Sequence, residues 1–289
     1  MALINHIPFG LRTEEQQFVD VADVPKGKQC GCICPSCRIP LIARQGKANR
    51  WHFAHASRNV DEVDKECEFS FFVSVRTMAK QLLEAGMSMI LPEWRHGIVE
   101  KRYGEVFTEE YWIARKTEVI LNRVQKECFF DGVLVDIYGY VGDYPLVIYF
   151  THPERPVPFE LQVPQQQQCG VIEIKLNETI RLFARKNITG VKFIDELKGF
   201  IESNQDAKQW VYHPRKNKAE EEAQARLDAV IENYRPHQPE RESVHRSHVK
   251  YYRWQYYQCS ICLCQWRAPE HESPVCPGCK RGHLYARKM

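Results

Sequence analysis

Two sets of cysteines in this chain have the spacing of metal ligands. Near the C-terminus, Cys259-Ser260-Ile261-Cys262 and Cys276-Pro277-Gly278-Cys279 form two Cys-x2-Cys pairs with thirteen residues between them. Each pair turns tightly and aims two thiolates at one point, and two such turns supply the tetrahedron that zinc requires. The second set starts at Cys30-Gly31-Cys32-Ile33-Cys34-Pro35-Ser36-Cys37 and continues through Trp51-His52-Phe53-Ala54-His55 to Cys67. Here Cys34, Cys37, His55 and Cys67 are the favoured ligands, with His52 as the alternate. If the His segment is extended, His52 and His55 face opposite sides and only one reaches the metal; a turn beginning at Ala54 lets both converge. Buried, reduced cysteines also act as small apolar residues, but four thiols within eight residues argue for metal. Cys264 and His283 are spare donors beside the C-terminal set.

Carboxylates make a third group. Asp136 is the one acid in the apolar run Val133–Val141, where it needs a metal or a buried partner; Lys80 is one such partner. Glu173 and Lys175, two apart in Val171–Leu176, put an acid and a base on one strand face, a pattern that a solvated face shares. Ahead of the last cysteines, Arg253, Trp254 and Tyr256 interleave cations with aromatics, and Lys280 and Arg281 follow the final knuckle. Stacking rings with cations suit single-stranded nucleic acid, although the rings would also fill a small ribbon core.

The elements that must hold these groups follow from periodicity. Short strands are expected within Phe18–Val24 and over Pro40–Arg44, flanking the first knuckle. Glu68–Gly86 has helical period, with Phe71, Phe72, Val75, Met78, Ala79, Leu82 and Leu83 on one stripe and Gly86 as the C-terminal cap. Met87–Trp94 and Val99–Phe107 read as strands, and Tyr111–Val124 is ambiguous. Val133–Val141 and Leu146–His152 form a hairpin turned at Gly142–Pro145. Thr151–Gln168 is a loop; Glu178–Lys186 and Ile194–Glu202 read as helices. Lys216–Tyr234 is a helix packed by the narrow stripe Ala219, Ala223, Leu227, Val230 and Ile231, and Arg235–Lys250 is a linker.

The chain of 289 residues has room for one medium domain and one or two small modules. A net charge of +3 permits a local nucleic-acid patch without demanding one. No stretch approaches the roughly 18 apolar residues that span a bilayer, and Met1–Leu11 lacks a secretory leader. A cytoplasmic location without membrane contact is therefore expected, and there twelve cysteines speak for metal rather than disulfides.

The run Cys32–His55, CICPSCRIPLIARQGKANRWHFAH, resembles the N-terminal module of the competence protein CoiA-like family. In that family a Cys-Pro-x-Cys knuckle and a His-Phe-x-His segment precede a domain resembling PD-(D/E)xK nucleases, and members handle DNA taken up in transformation or are nucleases of unknown target, which implies a role in DNA uptake, recombination or defence. The chain is thus expected to be an α+β protein: the resemblance, which fades after about residue 185, implies an N-terminal zinc β-ribbon (1–67) and a restriction-endonuclease-like α/β domain (68–203), and the residues themselves add a helix and linker (204–250) and a C-terminal zinc ribbon (251–289). The two cysteine sets imply two structural zinc ions, and the resemblance adds Mg²⁺ if the nuclease is active and nucleic acid as partner, DNA before RNA. A protein partner could use the C-terminal ribbon. Asp136 takes the Asp position and Thr151-His152 the Thr-His that closes the second strand. The Glu-x-Lys positions fall on Val147 and Tyr149, which neither bind Mg²⁺ nor activate water. On the first helix Lys80 fits the family's Lys, while Arg76 and Phe72 replace its His and Glu. Catalysis would then need Glu173 and Lys175 to complete Asp136; otherwise the protein binds nucleic acid, or acts as an adaptor, on a decayed nuclease fold.

Overall fold

A computed structural model describes residues 6–47, 50–56, 70–184, 192–235, 253–269, 274–282 and 285–289. Cys67, His283, Tyr251, Tyr252 and nearly all of the expected linker lie outside them. The chain divides into two compact units, Met1–Tyr234 and Arg235–Met289.

The first unit opens with β1 (Phe9–Arg12), β2 (Gln17–Asp20) and β3 (Cys32–Ile33), an antiparallel sheet in the order β2-β1-β3. A hairpin follows, β4 (Leu41–Arg44) with β5 (His52–His55). Gly10 lets β1 approach β3, because a Cβ there would stand 2.9 Å from the Cys32 Cβ. Ile7, Val21, Leu41 and Phe53 fill the small core together with Cys30, Cys32 and Cys34. The module is not packed in isolation. Phe9 belongs to the central core, Asp20 Oδ2 accepts the Ile194 N–H at 2.9 Å, and Arg50 is ion-paired with Glu196.

Helix α1 (Ser70–Glu84) buries the expected apolar stripe, and Gly86 at φ +84° closes it. Then come β6 (Ser88–Leu91), β7 (Trp94–Arg102), β8 (Glu105–Ala114), β9 (Thr117–Ile120) and β10 (Asn122–Phe130). The ambiguous Tyr111–Val124 thus resolves into the end of β8, all of β9 and the start of β10. Tyr103 and Gly104, both at positive φ, make the tight turn of the β7–β8 hairpin.

The principal sheet has the order β10-β11-β12-β13-β14, built with β11 (Val133–Val141), β12 (Tyr144–Thr151), β13 (Gly170–Lys175) and β14 (Lys208–Tyr212). β12 and β13 are parallel; the other neighbours are antiparallel. Alternation sorts its side chains. Ile148, Phe150, Ile172 and Ile174 face the core shared with α1. Val147, Tyr149 and Val171 face a second cluster with Leu161 of α2 (Phe159–Gln162). Helices α3 (Thr179–Ala184) and α4 (Phe193–Ser203) lead to β14, and α5 (Lys216–Asn233) buries Ala219, Ala223, Leu227 and Ile231. Val230, expected in that stripe, is exposed.

The second unit is an antiparallel sheet of β15 (Trp254–Cys259), β16 (Gln265–Pro269) and β17 (Ala286–Lys288), ordered β16-β15-β17. The architecture is mixed α+β and mostly strands. No helix of the described residues is long and apolar enough to cross a membrane.

Candidate metal centres and nucleic-acid face

Three knuckles share one backbone design. In each, the first cysteine's N–H donates to a carbonyl five residues on, and the N–H of the fourth residue after it donates back to its carbonyl. These bonds join Cys34 with Ile39 and Arg38, Cys259 with Cys264 and Leu263, and Cys276 with Arg281 and Lys280, at 2.9–3.0 Å. The closing residues Arg38, Leu263 and Lys280 all adopt left-handed backbone, φ 62°, 59° and 59°. The turn leaves N–H groups pointing at sulfur. Those of Cys262 and Ile261 hold the Cys259 thiol below its usual range, and that of Cys279 draws the Cys276 thiol down to about 6. Such thiols ionise readily, as metal ligands must.

In the C-terminal unit the four sulfurs lie within 4.8 Å of one another. Cys259 and Cys279 are 3.6 Å apart and Cys262 and Cys276 3.4 Å. A tetrahedral zinc with four thiolates would set them about 3.8 Å apart, so the donors fit a metal ion. In the N-terminal module Cys34, Cys37 and His55 converge likewise, with Cys37 Sγ 3.3 Å from His55 Nε2. Burial pushes the Cys34 thiol up to about 11, which a cation among the donors would reverse. The fourth donor expected here, Cys67, lies outside the described residues. His52 does not join. β5 is extended through His55, so His52 turns to the opposite face, stacks on His6 at 3.8 Å and bonds the Arg50 carbonyl through Nδ1. Cys264 is not one of the four converging sulfurs.

The residues expected to perform catalysis are held separately. Asp136, 2% exposed, is ringed by cations and a donor. Arg155 Nη1 approaches Oδ2 at 2.7 Å, Arg76 Nε lies 3.6 Å from Oδ1, and the Phe150 N–H donates to Oδ2 at 2.8 Å. β11 pairs with β12 only as far as Ile137–Ile148, so this carboxylate takes over where the ladder ends. Lys80 pairs with Glu127 at 2.5 Å instead. Glu173 lies on the face of Tyr149 and accepts the Thr151 hydroxyl at 2.6 Å, while Lys175 Nζ donates to Gln209 at 2.8 Å. Among the described residues no hydrogen bond or ion pair joins Asp136 to Glu173 or Lys175. Arg76 and Arg155 on Asp136 and Lys80 on Glu127 put three cations around two carboxylates, a set that does not fit a divalent ion. His152, stacked on Phe72 at 5.1 Å, is lowered to about 4 by burial and by Arg76 and Arg155.

The ribbon sheet has two unlike faces. Tyr257 stacks on Trp266 at 5.9 Å as its small core. The other face exposes Trp254 (54%) and Tyr256 (59%). There Arg267 lies over the Trp254 ring at 5.2 Å, and Arg287 stands in register with Gln258. Arg253, Lys280 and Arg281 are exposed, Arg281 over Tyr285 at 5.5 Å. Arg287 is one of the cations that follow the last knuckle in the sequence; Arg267 was not anticipated, and alternation through Gln265-Trp266-Arg267 carried its signal.

Residues 17–63 match the family model described as the N-terminal domain of competence protein CoiA. The match holds Cys34, Cys37 and His55 and bears out the resemblance read in the Cys32–His55 run. No curated protein and no solved structure matches the chain.

Proposed function

We propose that this CoiA-like protein binds DNA in a competence-related role without cleaving it, using two zinc-stiffened modules and a nuclease-like sheet. The observation that carries the reading is the ribbon face of Trp254, Tyr256, Arg267 and Arg287, where rings for base stacking alternate with cations for phosphates. Support for the absence of cleavage comes from Asp136, whose oxygens are taken by Arg155, Arg76 and the Phe150 N–H, and from Val147 and Tyr149 at the Glu-x-Lys positions. The hairpin β11–β12 behind helix α1 is what a restriction-endonuclease-like domain would contribute; Mg²⁺ has no part in this reading. A protein-contact reading rests on Ile261, Leu263 and Val275, apolar and exposed at the knuckles.

The test uses the full chain with Mg²⁺ or Mn²⁺ on single- and double-stranded DNA. No product is expected, with single-strand binding that weakens as salt rises. Trp254→Ala should cost about 1–3 kcal/mol of binding with little change in salt slope, and Arg267→Gln should lower that slope by about one. Metal-dependent cleavage abolished by Asp136→Asn would overturn the non-hydrolytic reading. Unchanged binding in both ribbon variants would overturn the face.

A further inference from the structure

The first unit holds an open cavity of about 730 Å³ between the β8–β9 turn, the end of β14 and the start of α5, within the size range of small-ligand sites. Its floor is apolar, with Ile113, Val119 and Leu146, and Trp210 forms one wall. Beside it lies a smaller hollow of about 230 Å³. Arg115 and Arg215 line both hollows and so stand where the two meet.

Charge decides what this shape fits. The acids in the walls already have partners: Glu110 pairs with Arg95 at 3.1 Å and Glu222 with Lys218 at 3.8 Å. Arg226, on the smaller hollow, pairs with Glu109 at 2.6 Å. Arg115 and Arg215, both exposed, make no ion pair among the described residues, and Arg115 lies over the Trp112 ring at 5.1 Å. His213, set edge-on to Trp210 at 4.8 Å, accepts the Arg215 N–H through Nδ1 at 3.1 Å, which leaves its proton on Nε2. Two uncompensated guanidinium groups thus stand at the mouth of an apolar, aromatic-walled chamber, and guanidinium binds phosphate oxygens in a bidentate fork.

We infer that this groove binds one nucleoside phosphate, its base on the apolar floor against Trp210 and its phosphate between Arg115 and Arg215. The occupant is either a free nucleotide or one unit of a single strand. The inference rests on the nucleic-acid reading above, but the site is in the other unit from the ribbon, so the two can fail separately.

The experiment measures binding of thymidine monophosphate and of a twelve-residue thymidine oligonucleotide to the full chain. It compares the parent, Arg115→Gln/Arg215→Gln, the ribbon variant Trp254→Ala/Arg267→Gln, and Lys101→Gln as a charge control at an exposed residue that lines neither hollow. The groove variant should lose tenfold or more, the scale of a charged hydrogen bond, for the monophosphate, the oligonucleotide or both. Loss for both assigns a site that takes free nucleotide and strand alike; loss for one alone identifies that source. Photocrosslinking of an iodouracil-bearing probe, read by mass spectrometry, should mark Tyr144, Trp210 or His213. Unchanged binding of both probes in the groove variant would overturn the site, as would crosslinks confined to residues 253–289, while the ribbon reading would stand. Equal competition by polyglutamate would overturn the ligand class. Loss in the ribbon variant bears on the ribbon alone.

Discussion

Asp136 keeps Arg76 and Arg155 from facing each other uncompensated, and its Oδ2 satisfies a Phe150 N–H that the β11 ladder has let go. Asp136→Ala removes all three functions at once. A broken buried pair costs about 3–5 kcal/mol, and because both arginines keep some contact with water the expected loss is at the lower end, about 3 kcal/mol by urea denaturation. Asp136→Asn, which can still accept the N–H, should lose less. A variant as stable as the parent would refute the structural role. The need for a partner at position 136 was legible in the sequence, since a lone acid in an apolar strand cannot stay bare. The partner was not. Lys80 has the right spacing on α1, but Glu127 takes it, and Arg155 comes from a loop without periodicity whose fold-back only the finished packing determines. The cysteine knuckles behave oppositely, because two residues between thiols dictate the turn wherever it occurs.

At the scale of elements, β11, β12, β13 and α1 were readable because their apolar residues repeat at two or at 3.6. β14 was missed for a physical reason. It is five residues long, begins with a lysine, and pairs along one edge of β13. Lys208 is buried against the carbonyls of Ile90 and Glu202, at 2.8 and 3.1 Å, with its pKa lowered to about 8 by burial. A strand that satisfies a lysine with carbonyls looks solvated in sequence. The stripe of α5 was equally plain, but its partner was not: Ala219 and Ala223 pack on Tyr111 and Ile113 of β8. Ala223 is fully buried there. Ala223→Leu should therefore destabilise the first unit by about 1–3 kcal/mol through overpacking, whereas Val230→Ala, on the exposed side, should leave the urea midpoint in place. Tolerance of leucine at 223 would show that α5 does not clamp the hairpin.

For the molecule as a whole, the division at Tyr234 sets how metal relates to stability. The ribbon has little core beyond Tyr257 and Trp266, so its fold depends on what the four thiols hold. Elemental analysis should find two zinc ions per chain. Cys276→Ser should leave one and unfold the ribbon, while the sheet of the first unit keeps its cooperative melt. A single zinc in the parent, or loss of both in the variant, would contradict two independent sites.

The first knuckle leads a different life, because its module is stitched to α4 by the Asp20–Ile194 bond, a separation of 174 residues. A ribosome adding about 5–20 residues per second takes roughly 9–35 s to supply that partner. Through this interval α4 is missing, and the module rests on its own small core, on the converging Cys34, Cys37 and His55 donors and on α1, whose Gln81 bonds both backbone groups of Phe18. Nascent chains starved of metal would be most exposed to proteases and aggregation in that window, long before the second set of cysteines is made.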